Sequence, residues 1–277
     1  MPKDYSLTGE TAHSAIECGT ANPKWFRPDV DPLAIRELMQ KSDAIALRDT
    51  LIWLGAMVLL AAIAIALWPA WWSAPFWLAY GVLYGSASDS RWHECGHKTA
   101  FRTPWMNNVV YHIASFMIMR NSAVWRASHI RHHTDTIVVG RDPEIVAMRP
   151  PDLARIALMF IGILDAYGAL KRMFLHSSGR IHPDEATYVR EADNTRIFLI
   201  ARIWLVIYGS TIALAFWIGS ILPLMLVGLL LFPVLAFQSL HLLGHLGLDA
   251  AALAAINLGF LDPLVQRLWC AADLRRD

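Results

Sequence analysis

Charge is what this chain has least of. Asp, Glu, Lys and Arg make up only 17% of its 277 residues, against 56% hydrophobic, and two stretches, Thr50–Ser88 and Ile203–Leu248, contain none of them. So much apolar surface exceeds what one soluble core needs and excludes an ordinary water-soluble domain. The charges nearly cancel, at +1, and no basic patch is visible, which excludes a nucleic-acid partner. Cysteine is also scarce. Cys18, Cys95 and Cys270 form no CxxC pair, so neither a disulfide framework nor a thiolate iron–sulfur site is written here. Met1–Asp49 is polar and mixed in charge, so the first apolar run reads as an anchor rather than a signal peptide.

The first charge-free stretch, 39 residues long, would reach about 58 Å as helix, roughly two crossings of a ~30 Å hydrocarbon layer. A helical hairpin is expected, with Pro69 and Pro75 bracketing Trp71 and Trp72 at its turn. The second stretch, 46 residues, repeats the pattern with Gly219, Ser220 and Pro223 at its turn. Six Lys and Arg lie in Met1–Asp49, fourteen in Asp89–Arg196, three after Asp249 and one, Arg202, near the start of the second hairpin; neither turn has any. By the positive-inside rule the hydrophilic regions share the cytoplasmic side.

The sequence thus predicts an all-α integral membrane protein: four transmembrane helices as two hairpins under a cytoplasmic helical cap. Its parts are an N-terminal segment (1–49), a membrane domain (50–248) and an atypical tail (249–277). The N-terminal segment is expected to end in a short surface helix from Pro32 to Arg48. Trp105–Met119, at about 22 Å, is expected to dip into the membrane and return, while Leu153–Leu170 suits an interfacial helix.

The cap carries three histidine clusters: His93-Glu94-Cys95-Gly96-His97, His129-Ile130-Arg131-His132-His133 and His241-Leu242-Leu243-Gly244-His245. Histidines three and four apart share a helix face, so each cluster can aim two or three imidazoles at one point. Imidazole suits Zn, Cu, Ni and Fe. Five histidines in two clusters, plus one or two from the third, exceed what one zinc site uses, and two metals are implied. Adjacent His132 and His133 point about 100° apart on a helix and could serve different ions. A binuclear iron site beside a membrane could activate O2 against an unactivated C–H bond, which redox-inert zinc cannot do.

Here the chain resembles the membrane fatty acid desaturase family, whose members carry HxxxH, HxxHH and late HxxHH boxes on four spans. The resemblance covers Thr50 to Leu248 and is densest in Arg91–His97, His129–Thr136 and Gly140–Ile145 (GRDPEI). It implies a diiron centre that uses O2 and electrons from a separate ferredoxin or cytochrome donor to desaturate a fatty acyl lipid. It makes His93, His97, His129, His132 and His133 the ligands of the first two boxes; His245 matches an isolated ligand upstream of the last, and His241 matches less well. Asp89, Asp135 and Asp142 are candidates to orient ligands by accepting imidazole N–H bonds. The late HxxHH box is missing, since no histidine follows His245. A truncated or frame-shifted coding sequence would explain that loss, and an inactive paralogue is the corresponding alternative.

Rival readings remain. A hydroxylase or monooxygenase of the same scaffold would act on alkanes, sterols or carotenoids. His93–His97 also reads HExxH, the zinc peptidase motif, which would make the chain an intramembrane metalloprotease with Glu94 as base. The solitary His13, His112, His176 and His182 read as structural. A bacterial inner membrane is the expected location.

Overall fold

In a computed structural model the described residues are 29–85, 87, 90–136, 138, 140–144 and 163–230, with isolated positions at 7–9, 13, 16–19, 154 and 158. All regular structure among them is helical. His241, His245, Asp89, the return arm of the second hairpin and the C-terminal tail lie outside the described residues.

A short helix α1 (Pro32–Leu38) is capped by Asp31 and stops at Met39, so the single surface helix expected up to Arg48 is broken. Helix α2 (Asp43–Ala66) begins well before the charge-free run, because the Ser42 hydroxyl accepts the Ile45 N–H and Asp43 puts a negative charge in the first turn. Its 24 residues extend about 36 Å, enough for one crossing. The chain turns through Trp71–Ser73, where the exposed rings of Trp71 and Trp72 stack 3.5 Å apart, and returns as α3 (Ala74–Gly85). The chain thus doubles back where the first hairpin is expected, but the second arm, 12 residues and about 18 Å, is shorter than the full crossing expected of a ~30 Å layer. Trp53, Met57, Ala61 and Ala64 form the buried stripe of α2, packed with Trp77, Tyr80 and Tyr84, and Trp53 Nε1–H donates to Leu83 O at 2.9 Å.

Three helices follow: α4 (Ser90–His97), α5 (Pro104–Met117) and α6 (Ser122–Asp135). Asp43 accepts bonds from the Thr103 amide (2.9 Å) and hydroxyl (2.7 Å), tying the start of α2 to the residue that caps α5. Lys98 and Met119 take positive φ, 61° and 52°, to end α4 and α5 sharply. With 14 residues, about 21 Å, α5 is too short to cross a ~30 Å layer, and the chain turns back into α6, capped by Asn121. Trp92 Nε1–H donates to Ser115 Oγ (3.0 Å) and Tyr111 Oη to Ser122 O (2.5 Å), which binds α4, α5 and α6 into one unit.

Helix α7 (Ile163–Ser177), the short α8 (Pro183–Ala186), the long α9 (Asn194–Ile218) and α10 (Leu222–Leu226) complete the described chain. Gly219, at φ 64°, ends α9 where the second turn is expected. Two segments, Pro32–Ala66 and Glu191–Ile218, are long and apolar enough to cross a membrane, with mean hydropathy 2.1 and 2.0. Val206, Phe216 and Trp217 of α9 stand exposed, as do Ile52, Val58 and Leu59 of α2. Apolar side chains facing outward along two such helices suit contact with lipid. Tyr80 and Tyr84 of α3 donate to the carbonyls of Leu226 (2.6 Å) and Val227 (2.8 Å), joining the two apolar hairpin regions.

Candidate metal centre

Helices α4 and α6 carry the first two histidine clusters, and the fold lays them side by side. His129 Nε2 lies 3.1 Å from His93 Nε2, 2.9 Å from His97 Nε2 and 3.1 Å from His133 Nε2, and His133 Nε2 lies 3.2 Å from His97 Nε2. All four ligand atoms fall within 4.8 Å of one another. Had α5 crossed the membrane, these clusters would face opposite sides; its return brings them together.

Close approach of the two helices depends on what lies between them. Trp125, one turn before His129, is buried, stacks on the His129 ring (centroids 4.3 Å, planes 18° apart) and sits 3.7 Å from the Trp92 ring. Gly96 of α4 faces it. A Cβ there would overlap Trp125 Cζ3 and lie 3.0 Å from Cη2 and 3.3 Å from Tyr111 Cε2. Only a residue without a side chain lets α4 approach this wall closely enough for His93 and His97 to meet α6.

The outer ring nitrogens are held by carboxylates. His129 Nδ1–H donates to Glu144 Oε2 at 2.9 Å, while Glu144 Oε1 accepts from Ser128 Oγ at 3.0 Å. His132 Nδ1–H donates to both oxygens of Asp142 at 3.0 Å. Because a carboxylate can only accept, each of these imidazoles carries its proton on Nδ1 and presents a lone pair at Nε2. Burial works to raise the pKa of Glu144, yet the hydrogen bond and charge of His129 and the hydrogen bond from Ser128 leave it net lowered and the carboxylate ionised. Burial, then mutual repulsion with neighbouring imidazoles, lowers the pKa of His97 and of His133, so both favour the neutral form.

Four imidazole nitrogens converging on one point fit a metal ion. Imidazoles about 2.1 Å from a common centre at right angles would stand about 3.0 Å apart, close to the four contacts above. His132 lies outside this group: its ring centroid is 5.7 Å from those of His129 and His133. Adjacent in sequence, His132 and His133 diverge as helical geometry requires.

Of the candidate orienting carboxylates, Asp142 holds a histidine. Asp135 does not: it is buried against Arg141 (2.9 Å) and Arg131 (3.6 Å), because it ends α6 on the face away from the cluster. Glu144, Gly96 and Trp125 were missed as parts of the site; Glu144 does fall within GRDPEI, two residues after Asp142, where its side chain could have been suspected. Glu94 is turned aside, accepting from Thr99 Oγ1 at 2.6 Å and lying 3.3 Å from His93 Nδ1. The hydrogen bond from Thr99 is the main reason its pKa is lowered. The solitary histidines are engaged elsewhere. Buried His176 donates to Glu185 at 2.7 Å, His182 caps α8, and His112 bonds Ser122 and Arg196. Arg202 reaches the Ser177 carbonyl at 3.0 Å, at the end of α7.

A cavity of about 410 Å³ adjoins the cluster. Trp125, Ser128 and Glu144 form its wall on the histidine side, and Val124, Met173 and Trp204 give it apolar lining.

The family model described as fatty acid desaturase matches residues 66–271, running beyond Leu248 into the tail. An sn-1 acyl-lipid omega-3 desaturase (ferredoxin) of Nostoc is 33% identical over 67 residues, 24% of this chain and 18% of that protein. A Delta(12) fatty acid desaturase of Mortierella isabellina is 33% identical over 73 residues, 25% and 18% of the respective chains. An Arabidopsis thaliana acyl-lipid omega-3 desaturase (cytochrome b5) of the endoplasmic reticulum is 26% identical over 190 residues, 62% of this chain and 47% of that one. These alignments span less than half of each relative's length. No solved structure matches. With both histidine helices inside a match that covers more than half of its residues, the chain belongs to the fatty acid desaturase family.

Proposed function

We propose that this protein desaturates a fatty acyl lipid at a histidine-held diiron centre, using O2. The observation that supports this best is the convergence of His93, His97, His129 and His133 from two helices, with the outer nitrogen of His129 fixed by Glu144. These four would hold one iron. His132, turned the other way and anchored by Asp142, would serve the second together with His245 and, less directly, His241. The chemistry such a centre supplies when bound is removal of hydrogen from an unactivated C–H bond. In the overall balance the acyl chain loses two hydrogens, O2 is reduced to two waters, and two electrons and two protons enter from outside.

The chain's own residues provide the setting. Glu144 and Asp142 fix imidazole tautomers, so that lone pairs face inward without reorganisation. Trp92 and Trp125 close the apolar side of the cluster against water. The neighbouring cavity would take part of the acyl chain against Val124, Met173 and Trp204. Relatives are named for ferredoxin and for cytochrome b5 as donors, and a separate electron carrier of one of these kinds is proposed here. The histidine helices would face the cytoplasm of a bacterium, above spans in its inner membrane.

The test is expression with a donor system in a host of defined fatty acid composition, followed by mass spectrometry of its lipids. A product two mass units lighter than its precursor, together with iron near two per chain, supports the proposal. A product heavier by one oxygen would make the protein a hydroxylase, and purified protein carrying zinc alone would remove the redox reading.

A further inference from the structure

Where α5, α6 and α9 meet, two arginines stand without a counter-charge among the described residues. Arg126 of α6 lies with its guanidinium carbon 4.5 Å from the centre of the Tyr111 ring; it has one long bond, Nη2–H to Asn108 Oδ1 at 3.5 Å, and its buried Nε–H has no partner. Arg196, in the first turn of α9, donates from Nη2 to His112 Nε2 at 3.0 Å. Because that nitrogen accepts, the His112 proton must be on Nδ1, where it donates to Ser122 Oγ at 2.9 Å. His112 is therefore neutral; the charges of both Arg196 and Arg126 reach its ring, and it neutralises neither.

Among the described residues no carboxylate pairs with Arg126 or Arg196. Nearby acids are engaged or turned away: Glu144 is bound by His129 and Ser128, Asp193 by Arg190, and Glu191 is exposed. We infer that Arg126 and Arg196 form a binding site for a phosphate-type anion, presented by the headgroup of a membrane phospholipid. Two planar guanidinium forks match phosphate oxygens better than they match each other. Placement argues for the lipid source. Arg196 opens the segment Glu191–Ile218, which is apolar enough to cross a membrane, and the next turns of the same helix expose Leu199, Ile203 and Val206. A headgroup beside Arg196 would have its acyl chains lie along these side chains. None of this depends on the metal.

The experiment measures lipid retained per chain by native mass spectrometry, using the full protein in uncharged detergent. Phosphatidylglycerol and an uncharged galactolipid are offered in turn; millimolar inorganic phosphate alone is tested by thermal shift. Retention of phosphatidylglycerol but not galactolipid is expected, with a loss of about tenfold in Arg126→Gln and in Arg196→Gln while iron per chain stays unchanged. Arg196 is exposed, so R196Q carries the test should R126Q fail to fold. If phosphate alone raises the melting temperature of the native protein and not of R196Q, the anion site stands and its ligand is soluble. If R196Q retains phosphatidylglycerol as well as the native protein, or native retention ignores lipid charge, the inference is overturned.

Discussion

Replacing Gly96 with alanine is the sharpest probe of how the two histidine helices are brought together. The added methyl would overlap Trp125 and sit 3.0 Å from its Cη2, where carbon atoms prefer about 3.5–4.0 Å, so the helices must part by something on the order of 1 Å. Trp125 has little room to yield, being 5% exposed and pressed between Trp92 and His129. Overpacking of this kind costs about 1–3 kcal/mol, or roughly 2–10 °C of melting temperature for a chain this size. The same displacement moves His93 and His97 away from His129, whose nitrogens now lie about 3 Å apart, and metal sites tolerate misplacement of only about 0.5 Å. Iron per chain, measured by elemental analysis beside a tryptophan-fluorescence melt, should fall well below the native value. Gly209→Ala is the control: it lies in α9 with open space at its Cβ and should hold iron normally and melt no lower. If G96A binds iron and melts as the native protein does, close helix approach is not what makes the site.

Glu144→Gln removes the acceptor that fixes His129 and should weaken iron affinity about 10–100-fold in chelator competition; unchanged affinity would deny the carboxylate its orienting role. His133→Ala should abolish iron retention while His112→Ala preserves it, since only the former belongs to the convergent group. Acid titration supplies a third check. With the pKa of His97 and His133 lowered from 6.5, protons compete with metal only below that value, so iron release followed by absorbance should have its midpoint under pH 6.5. The metal-free protein has the matching sign: below pH 6.5 the unfolded chain binds these protons more readily, and stability should decline as pH falls from 6.5 through the lowered values. Glu185→Ala strands buried His176 and the Arg172 guanidinium, 3.3 Å away, and should cost about 3 kcal/mol in a denaturation melt without loss of iron.

The long-range outline was legible because charge is so unevenly spread. An uncharged run with prolines and tryptophans at its middle has few ways to fold other than as a hairpin, and α2, the turn at Trp71–Ser73 and α3 follow that outline. The boundary was not legible: α2 starts at Asp43 because Ser42 and Asp43 satisfy its first turn, a local matter that hydropathy does not register. Within the site, spacing pointed to five histidines in two clusters, of which four converge and His132 turns away. It could not choose among carboxylates. Asp135 shares a helix with three histidines yet turns to arginines, whereas Asp142 and Glu144 reach the imidazoles from the segment beyond α6, a fold-back that no periodicity announces. Gly96 was equally silent, since its role appears only once Trp125 is opposite.

The imidazole contacts of the centre join residues separated by 36 positions or fewer, and every one of them precedes α9. On the proposed function, the first ion could therefore be captured while the later half of the polypeptide is still being synthesised. Metal supply during translation would then influence how the remaining helices settle, and a cell starved of iron would be expected to degrade newly made copies rather than accumulate apoprotein.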